Sequence, residues 1–183
     1  NLHKYNKVLK SLNTGCLLLQ KNKCKFIVIP CNTAHYWYDD LQRKIKIPII
    51  SMPKEVYLHA KKNCKKNSKI GILATEGTLK TRVYNKFFDK NFTLINPKKS
   101  LQIESVNKAI KYVKMGKIKN AEKAIKPAIN YLIKMKCKKI ILGCTELPVA
   151  IFAFKSFKKV KLSKIFLDPN LILANISMKK YNK

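Results

Sequence analysis

Arginine is nearly absent from this chain of 183 residues. Arg43 and Arg82 are the only two, so lysine supplies 38 of the 40 basic residues (40 − 2), against nine acidic residues and a net charge of +31. Base recognition and bidentate phosphate binding favour arginine, and these lysines are scattered singly or in pairs. The composition therefore predicts solvated lysine surfaces and no specific nucleic-acid partner, with salt-sensitive binding of polyanions as the alternative.

Long apolar segments and metal-binding cysteine pairs are also missing. No stretch of ~18 uncharged apolar residues occurs, which argues against a membrane span, and the start of the chain shows no signal-peptide core. The six cysteines form no C-x-x-C pair, so we expect neither a zinc site nor a disulfide framework. These absences predict a cytoplasmic protein with reduced thiols, no membrane partner and no bound metal.

Glycine is scarce as well, with five residues and no glycine-rich nucleotide-binding loop. Nothing in the sequence therefore indicates NAD or ATP binding. No lysine lies in a recognisable context for a Schiff base with pyridoxal phosphate. We expect no cofactor.

The residues that are present form short apolar runs that alternate with helical patterns. The runs predict strands at 26–29, 48–51, 69–74, 92–95, 139–142 and 165–167. The intervening patterns predict helices at 6–22, 34–44, 54–65, from about 79, at 100–115 and 118–135, from about 147, and from Asp168-Pro169. This alternation predicts an α/β fold with parallel sheets.

One strand unit occurs twice. Residues 23–32 align with residues 136–145, and each unit is a basic-flanked strand followed by a cysteine, Cys31 or Cys144, at an offset of 113 (144 − 31). The repeat indicates an internal duplication. A strand near Ile70 precedes Cys144 by 74 residues (144 − 70), so its counterpart would precede the first residue of this chain. We therefore expect the first half to lack its N-terminal strand.

The two repeated cysteines occupy positions suited to acid–base chemistry. Cys31 and Cys144 follow the carboxyl ends of strands, where open α/β sheets bind ligands, and each lies near a helix N-terminus, which lowers thiol pKa values and binds carboxylates. Two thiols on opposite sides of one cleft suit racemisation, in which a proton leaves one face of a carbon and another returns to the other face. The sequence also places candidate hydrogen-bond donors at strand ends: Asn32, Thr33, Thr75, Thr78 and Thr145.

These motifs resemble those of the aspartate/glutamate racemase superfamily. The paired signatures are Cys31-Asn32-Thr33-Ala34-His35 and Gly143-Cys144-Thr145-Glu146, and the agreement with the aspartate racemase branch extends over nearly the whole chain. The other segments that agree are Ile29 to Tyr36, Ile72 to Thr78, Lys114-x-Gly116, Ile141 to Pro148 and Asp168-Pro169.

The resemblance implies two pseudo-symmetric three-layer α/β/α domains with the active site between them, and a homodimer. We assign residues 1–66 plus 165–183 to the first domain and 67–164 to the second.

The resemblance also implies a role for each site residue. Cys31 and Cys144 would be the proton donors and acceptors; Asn32, Thr33 and Ala34 would hold the α-carboxylate, with Thr145 opposite; Thr75 and Thr78 would line the cleft; Lys114 would meet the side-chain carboxylate.

Several interpretations stay open at this point. Glu146 is either a first-turn carboxylate that complements a helix dipole or a group that orients the Cys144 side, and His35 is most simply structural.

The family's opening strand, glycine-rich turn and arginine-bearing segment are not in this sequence. The main hypothesis is cofactor-independent racemisation of an acidic amino acid, most simply aspartate. The alternatives are an inactive remnant, or a relative that isomerises or decarboxylates another small carboxylate.

Overall fold

The computed structural model describes residues 2–152 and 164–182, and the side chains among them from residue 6 onward. Strands and helices alternate, as the sequence pattern predicts. In chain order the elements are α1 (Leu2–Lys21), β1 (Ile27–Val28), a 3₁₀ helix (Thr33–Trp37), α2 (Tyr38–Lys44), β2 (Ile49–Ile50), α3 (Met52–Asn63), β3 (Lys69–Ala74), α4 (Glu76–Lys80), α5 (Asn85–Phe88), β4 (Thr93–Ile95), α6 (Lys99–Leu101), a π-helical turn (Gln102–Asn107), α7 (Lys108–Lys114), α8 (Ile118–Lys134), β5 (Lys139–Gly143), α9 (Glu146–Phe152), β6 (Phe166–Leu167) and α10 (Pro169–Tyr181).

The strands form two parallel sheets. In the smaller sheet β1 pairs with β2, with Ile27 opposite Ile49. The larger sheet has the order β4-β3-β5-β6, and every pair in it is parallel. Parallel strands that are buried on both faces have nearly continuous apolar sequences. This explains the Val- and Ile-rich segments of the chain. The predicted α/β class with parallel sheets is confirmed.

The larger sheet is covered by helices on both faces. Along β3, Ile70 and Ile72 face a cluster with residues of α3 and α5, whereas Leu73 faces the opposite cluster with α7, α8 and α9. Strand β5 alternates in the same way, because successive side chains of a strand point to opposite faces. This part of the chain is thus a three-layer α/β/α unit.

The carboxyl ends of β3 and β5 lie side by side. Ala74, the last residue of β3, pairs with Gly143, the last residue of β5. The two segments that follow, starting at Thr75 and Cys144, therefore leave the same edge of the sheet. A Cβ added to Gly143 would lie 2.9 Å from Ala74 Cβ, so a glycine at this position permits the close approach of the strands.

The last strand and the helix after it differ in their placement. Strand β6 pairs with β5 in the larger sheet, where Phe166 and Leu167 are both buried. Phe166 and Leu167, which the proposed division places in the first domain, thus pair with a strand of the proposed second domain. Leu173 of α10, by contrast, packs on Ile50 and Met52 beside the smaller sheet. The division of the chain into 1–66 plus 165–183 and 67–164 is a proposal.

Helices α4 and α9 begin earlier than the sequence pattern predicts, as do α1 at Leu2 and α3 at Met52. Helix α4 begins at Glu76, not near Leu79, because the Thr75 side chain caps it by accepting a hydrogen bond from the Thr78 backbone N–H. It ends at Lys80, and Arg82 follows with a positive φ of 53°, which interrupts the helix. Helix α9 begins at Glu146, one residue before the predicted start.

The helix predicted at 118–135 forms in spite of an internal proline. Pro127 lies inside α8 and disturbs its hydrogen-bond ladder. The buried Ser105, on the π-helical turn, compensates because its hydroxyl oxygen accepts from the Ala128 backbone N–H at 3.2 Å and donates to the Ala124 carbonyl. The single helix predicted at 100–115 forms as three successive parts, which are α6, this π-helical turn and α7.

We predict that Gly143→Ala destabilises the protein by about 1–3 kcal/mol, because the added methyl group overpacks the contact with Ala74 and a backbone carbonyl at 3.3 Å. The free energy of unfolding from urea denaturation measures the effect. Gly15→Ala is the control: nothing lies within 4 Å of the added Cβ, and alanine at this helical position should stabilise by roughly 0.5–1 kcal/mol. Equal effects of the two substitutions would contradict the close-packing account.

Candidate active site

A cavity of about 220 Å³ lies at the carboxyl ends of the strands, between the two halves of the chain. It contains all the site residues predicted from sequence except Ala34, which is buried in the 3₁₀ helix behind Asn32. The lining residues are Pro30, Cys31, Asn32, Thr33, Thr75, Thr78, Lys114, Gly143, Cys144, Thr145 and Glu146. The two repeated cysteines thus share one cavity, although they are 113 residues apart in the chain (144 − 31).

The loop that carries Cys31 is held by a buried histidine. The Met52 backbone N–H donates to His35 Nε2 at 3.0 Å, and His35 Nδ1 lies 2.9 Å from the Cys31 carbonyl oxygen. Because Nε2 accepts, the proton is on Nδ1, which donates to the carbonyl. Burial lowers the pKa of His35 and favours this neutral form. His35 therefore has the structural role that the sequence suggested, joining the Cys31 loop to the start of α3.

Three threonines connect the two halves of the chain at the cavity. The hydroxyl oxygens of Thr33 and Thr78 are 2.7 Å apart, and those of Thr78 and Thr75 are 3.1 Å apart. Thr33 follows β1, whereas Thr75 and Thr78 follow β3. The hydroxyl groups therefore form a continuous polar rim at which the first half contacts the second.

The second cysteine has a carboxylate beside it. Cys144 Sγ donates a hydrogen bond to Glu146 Oε2 at 2.9 Å, and the Thr145 hydroxyl donates to the same oxygen at 2.8 Å. The Lys114 ammonium lies 3.5 Å from the other oxygen, Oε1. Glu146 is therefore not only a first-turn helix carboxylate. It connects Cys144, Thr145 and Lys114 in one network.

The two thiols have different environments. Burial, together with the hydrogen bond and negative charge of Glu146, raises the pKa of Cys144 to about 12, so this thiol keeps its proton near neutral pH. Cys31 is exposed at the cavity. Burial acts to raise the pKa of Glu146, but the bonds from Cys144 and Thr145 and the charge of Lys114 outweigh it and lower the value. The resting site thus holds a neutral thiol at Cys144 beside an ionised Glu146.

Sequence reasoning missed one residue that contacts this site. Tyr84, at the start of α5, is fully buried, and its hydroxyl donates a hydrogen bond to Asn32 Oδ1 at 2.5 Å. The two residues are 52 positions apart. Nothing in the local pattern around Tyr84 distinguishes it from the other aromatic residues, so the contact emerges only from the tertiary fold.

The described residues, 2–152 and 164–182, contain no group of three or more metal-binding side chains arranged to hold an ion. Within the same part of the chain, no helix combines the length and apolar character needed to span a membrane.

The fold and the cavity define an α/β protein with two thiols at the junction of its halves. A sequence profile of the family described as Asp/Glu/Hydantoin racemase matches residues 4–175. The chain belongs to this family, and the resemblance seen in its motifs is confirmed.

Individual relatives agree with this membership. The chain is 27% identical over 147 residues to the broad specificity amino-acid racemase RacX of Bacillus subtilis, covering 80% of this chain and 63% of that protein. It is 27% identical over 135 residues to the glutamate racemase of Corynebacterium diphtheriae, covering 72% and 48%. The chain thus spans about half to two thirds of the length of these two curated relatives.

Solved structures show the same fold. The aspartate racemase of Picrophilus torridus matches with a TM-score of 0.77 and 28% identity, over 96% of this chain and 70% of that one. An aspartate racemase homologue from Pyrococcus horikoshii OT3 matches with a TM-score of 0.82 and 24% identity, over 100% and 78%. The second similarity concerns the fold alone.

We predict that Glu146→Gln lowers the pKa of Cys144, because the substitution removes the carboxylate that stabilises the protonated thiol. At about pH 8 the thiolate fraction, and with it the rate of alkylation by iodoacetamide, should rise roughly tenfold for each unit of pKa lost. Mass spectrometry of the Cys144 peptide measures the rate.

The matched control is Glu104→Gln, which removes a surface carboxylate paired with Lys108. This control should leave Cys144 alkylation unchanged. A Cys144 rate that stays the same or falls in Glu146→Gln would contradict the assigned interaction.

Proposed function

We propose that this chain racemises an acidic amino acid, aspartate in the first instance, using two cysteines and no cofactor. The observation that carries the proposal is that Cys31 and Cys144 line the same small cavity. The names of the relatives support the class of reaction, since they include amino-acid, glutamate and aspartate racemases. The homodimer stays a prediction of the family resemblance, and the cytoplasmic location stays a prediction from the sequence.

The unequal environments of the thiols suggest how the proton moves. In one direction the Cys31 thiolate takes the α-proton from one face of the substrate, and the bonding electron pair moves into the carboxylate to form an enediolate. The Cys144 thiol then delivers its proton to the opposite face of the same carbon. This leaves Cys31 as thiol and Cys144 as thiolate, which is the state from which the reverse reaction starts.

The reverse direction requires a Cys144 thiolate in a site that disfavours it. The Glu146 carboxylate accepts the hydrogen bond of the Cys144 thiol, so its negative charge makes the Cys144 thiolate a stronger base. In the reverse direction this thiolate takes the α-proton and becomes the thiol again, while the Cys31 thiol delivers its proton to the opposite face. Lys114 stabilises the negative charge of the Cys144–Glu146 pair from the other carboxylate oxygen.

The donors of the cavity suit the charge that develops during the reaction. The α-proton of an amino acid is weakly acidic, so the rate depends on fixed donors aimed at the carboxylate as it gains charge. Asn32 and Thr78 are buried at 4% and 2% exposure, which keeps their polar groups away from bulk water. Together with the hydroxyl groups of Thr33 and Thr75, they supply such donors without a metal or pyridoxal phosphate, whereas the Thr145 hydroxyl donates to Glu146.

Lys114 and the size of the cavity support an acidic amino acid as the substrate. The Lys114 side chain is 63% exposed and lies at the cavity with one carboxylate partner, Glu146. A substrate with a second carboxylate would compete for this ammonium group, which favours acidic amino acids over neutral ones. The volume of about 220 Å³ favours a short side chain such as that of aspartate.

The test is proton exchange in D₂O. We predict that the protein converts L-aspartate into α-deuterated D-aspartate, and that Cys31→Ala and Cys144→Ala each reduce racemisation by about 10²–10⁴-fold, because each removes one of the two acid–base groups. Chiral chromatography and mass spectrometry measure the product.

Cys24→Ala is the matched control. Cys24 is half-buried and lies outside the cavity, so its loss should leave the rate unchanged. The two-thiol proposal fails if either cavity variant keeps full activity, or if the unsubstituted protein incorporates no deuterium.

A further inference from the structure

Tyr84 does not line the cavity but contacts Asn32, which does. Its side chain is 1% exposed, and its hydroxyl oxygen lies 2.5 Å from Asn32 Oδ1, while Asn32 is itself 4% exposed and lines the cavity. Tyr84 belongs to the segment after β3, and Asn32 to the loop after β1. The hydrogen bond therefore connects the hydrophobic core of one half to a candidate binding residue of the other.

The ring of Tyr84 is explained by packing, but its hydroxyl is not. The ring lies in an aromatic cluster, 6.1 Å from Phe88 between centroids, and a phenylalanine would fill this place as well. A buried hydroxyl is unfavourable without a partner. The partner here is Asn32, so the hydroxyl marks a specific interaction with the cavity wall.

The direction of the hydrogen bond determines what Asn32 offers to a ligand. Burial, with the nearby Asp168 carboxylate acting in the same sense, raises the pKa of Tyr84 above its ordinary value, so the phenol keeps its proton and remains a donor. An asparagine amide has one acceptor atom and one donor atom. When Tyr84 occupies the oxygen, the polar group that Asn32 offers to the cavity is its NH₂.

We propose that Tyr84 is a positioning residue, which fixes the amide orientation of Asn32 so that Nδ2 donates to the substrate α-carboxylate. The inference rests on the proposed function, because it takes an amino-acid carboxylate as the ligand. In the flipped orientation the amide oxygen would face the cavity and repel this carboxylate. Tyr84 thus determines whether the NH₂ group or the oxygen of the Asn32 amide faces the substrate, although Tyr84 does not touch the substrate.

The first test compares two tyrosines of one aromatic cluster. Tyr84→Phe removes only the hydroxyl that orients Asn32, and it should lower kcat/KM for L-aspartate racemisation about fivefold to tenfold. Tyr57→Phe is the matched control, because Tyr57 packs on the same Phe88 at 5.5 Å and loses a hydroxyl contact with Asn91 outside the cavity. The control should retain kcat/KM.

A double-mutant cycle identifies the route of the effect. In an Asn32→Ala background there is no amide left to orient, so Tyr84→Phe should change kcat/KM by less than about twofold. A full additional loss in that background would show that Tyr84 acts through something other than Asn32 and would overturn the proposal. The same conclusion would follow if Tyr57→Phe lowered kcat/KM as much as Tyr84→Phe.

A spectroscopic measurement separates this proposal from the proposed function. In protein labelled with [¹⁵N]asparagine, the side-chain NH₂ signals of Asn32 are assigned by their loss in Asn32→Ala. They should shift on Tyr84→Phe and not on Tyr57→Phe. Addition of L-aspartate should change the chemical shifts of these signals in the unsubstituted protein. In Tyr84→Phe, the L-aspartate concentration that gives half of this change should be about fivefold to tenfold higher.

The possible outcomes are distinct. If L-aspartate shifts the Asn32 signals but is not racemised, the proposed function fails and the positioning role stands. If Tyr84→Phe leaves the Asn32 signals unmoved, or if L-aspartate does not perturb them in the unsubstituted protein, the positioning role is wrong even where racemisation is observed.

Discussion

The hydrogen bond between Thr33 and Thr78 is the contact on which the site depends. Its two hydroxyl oxygens are 2.7 Å apart, and they belong to the 3₁₀ helix and to α4, which follow strands of different sheets. Parallel strands that end at one edge bring their loops together within a sheet, but only a contact between sheets brings the Cys31 loop to the Cys144 loop. The Tyr84–Asn32 bond adds a second link of the same kind, from a buried core position.

The site is chemically asymmetric although the strand units that build it are repeated. Cys144 has a carboxylate two residues later, and the corresponding position after Cys31 is Thr33. Burial and Glu146 together raise the pKa of Cys144, while the repeat carries a threonine in place of this carboxylate after Cys31. Glu146 is one of only nine acidic residues in a chain with a net charge of +31. Its contacts with Cys144, Thr145 and Lys114 hold it in the cavity wall.

Much of this arrangement was predictable, because strand–cysteine units and threonines at strand ends are local signals. The pattern predicted the sheets, the cavity and most of its lining. Other features depend on contacts between distant residues. Strand β6 joins the larger sheet by pairing with β5, and Pro127 is accommodated because Ser105 approaches from another helix. The early start of α4 comes from a local contact, the cap by the Thr75 side chain. Tyr84 gave no local signal, since its partner lies 52 residues away.

The most direct measurement is a crystal structure of the protein with bound L-aspartate. The account predicts that the ligand's α-carbon lies between Cys31 Sγ and Cys144 Sγ, with its α-carboxylate at Asn32 and Thr33 and its side-chain carboxylate toward Lys114. Aspartate bound with both sulfur atoms on the same side of the α-carbon, or bound outside this cavity, would contradict it.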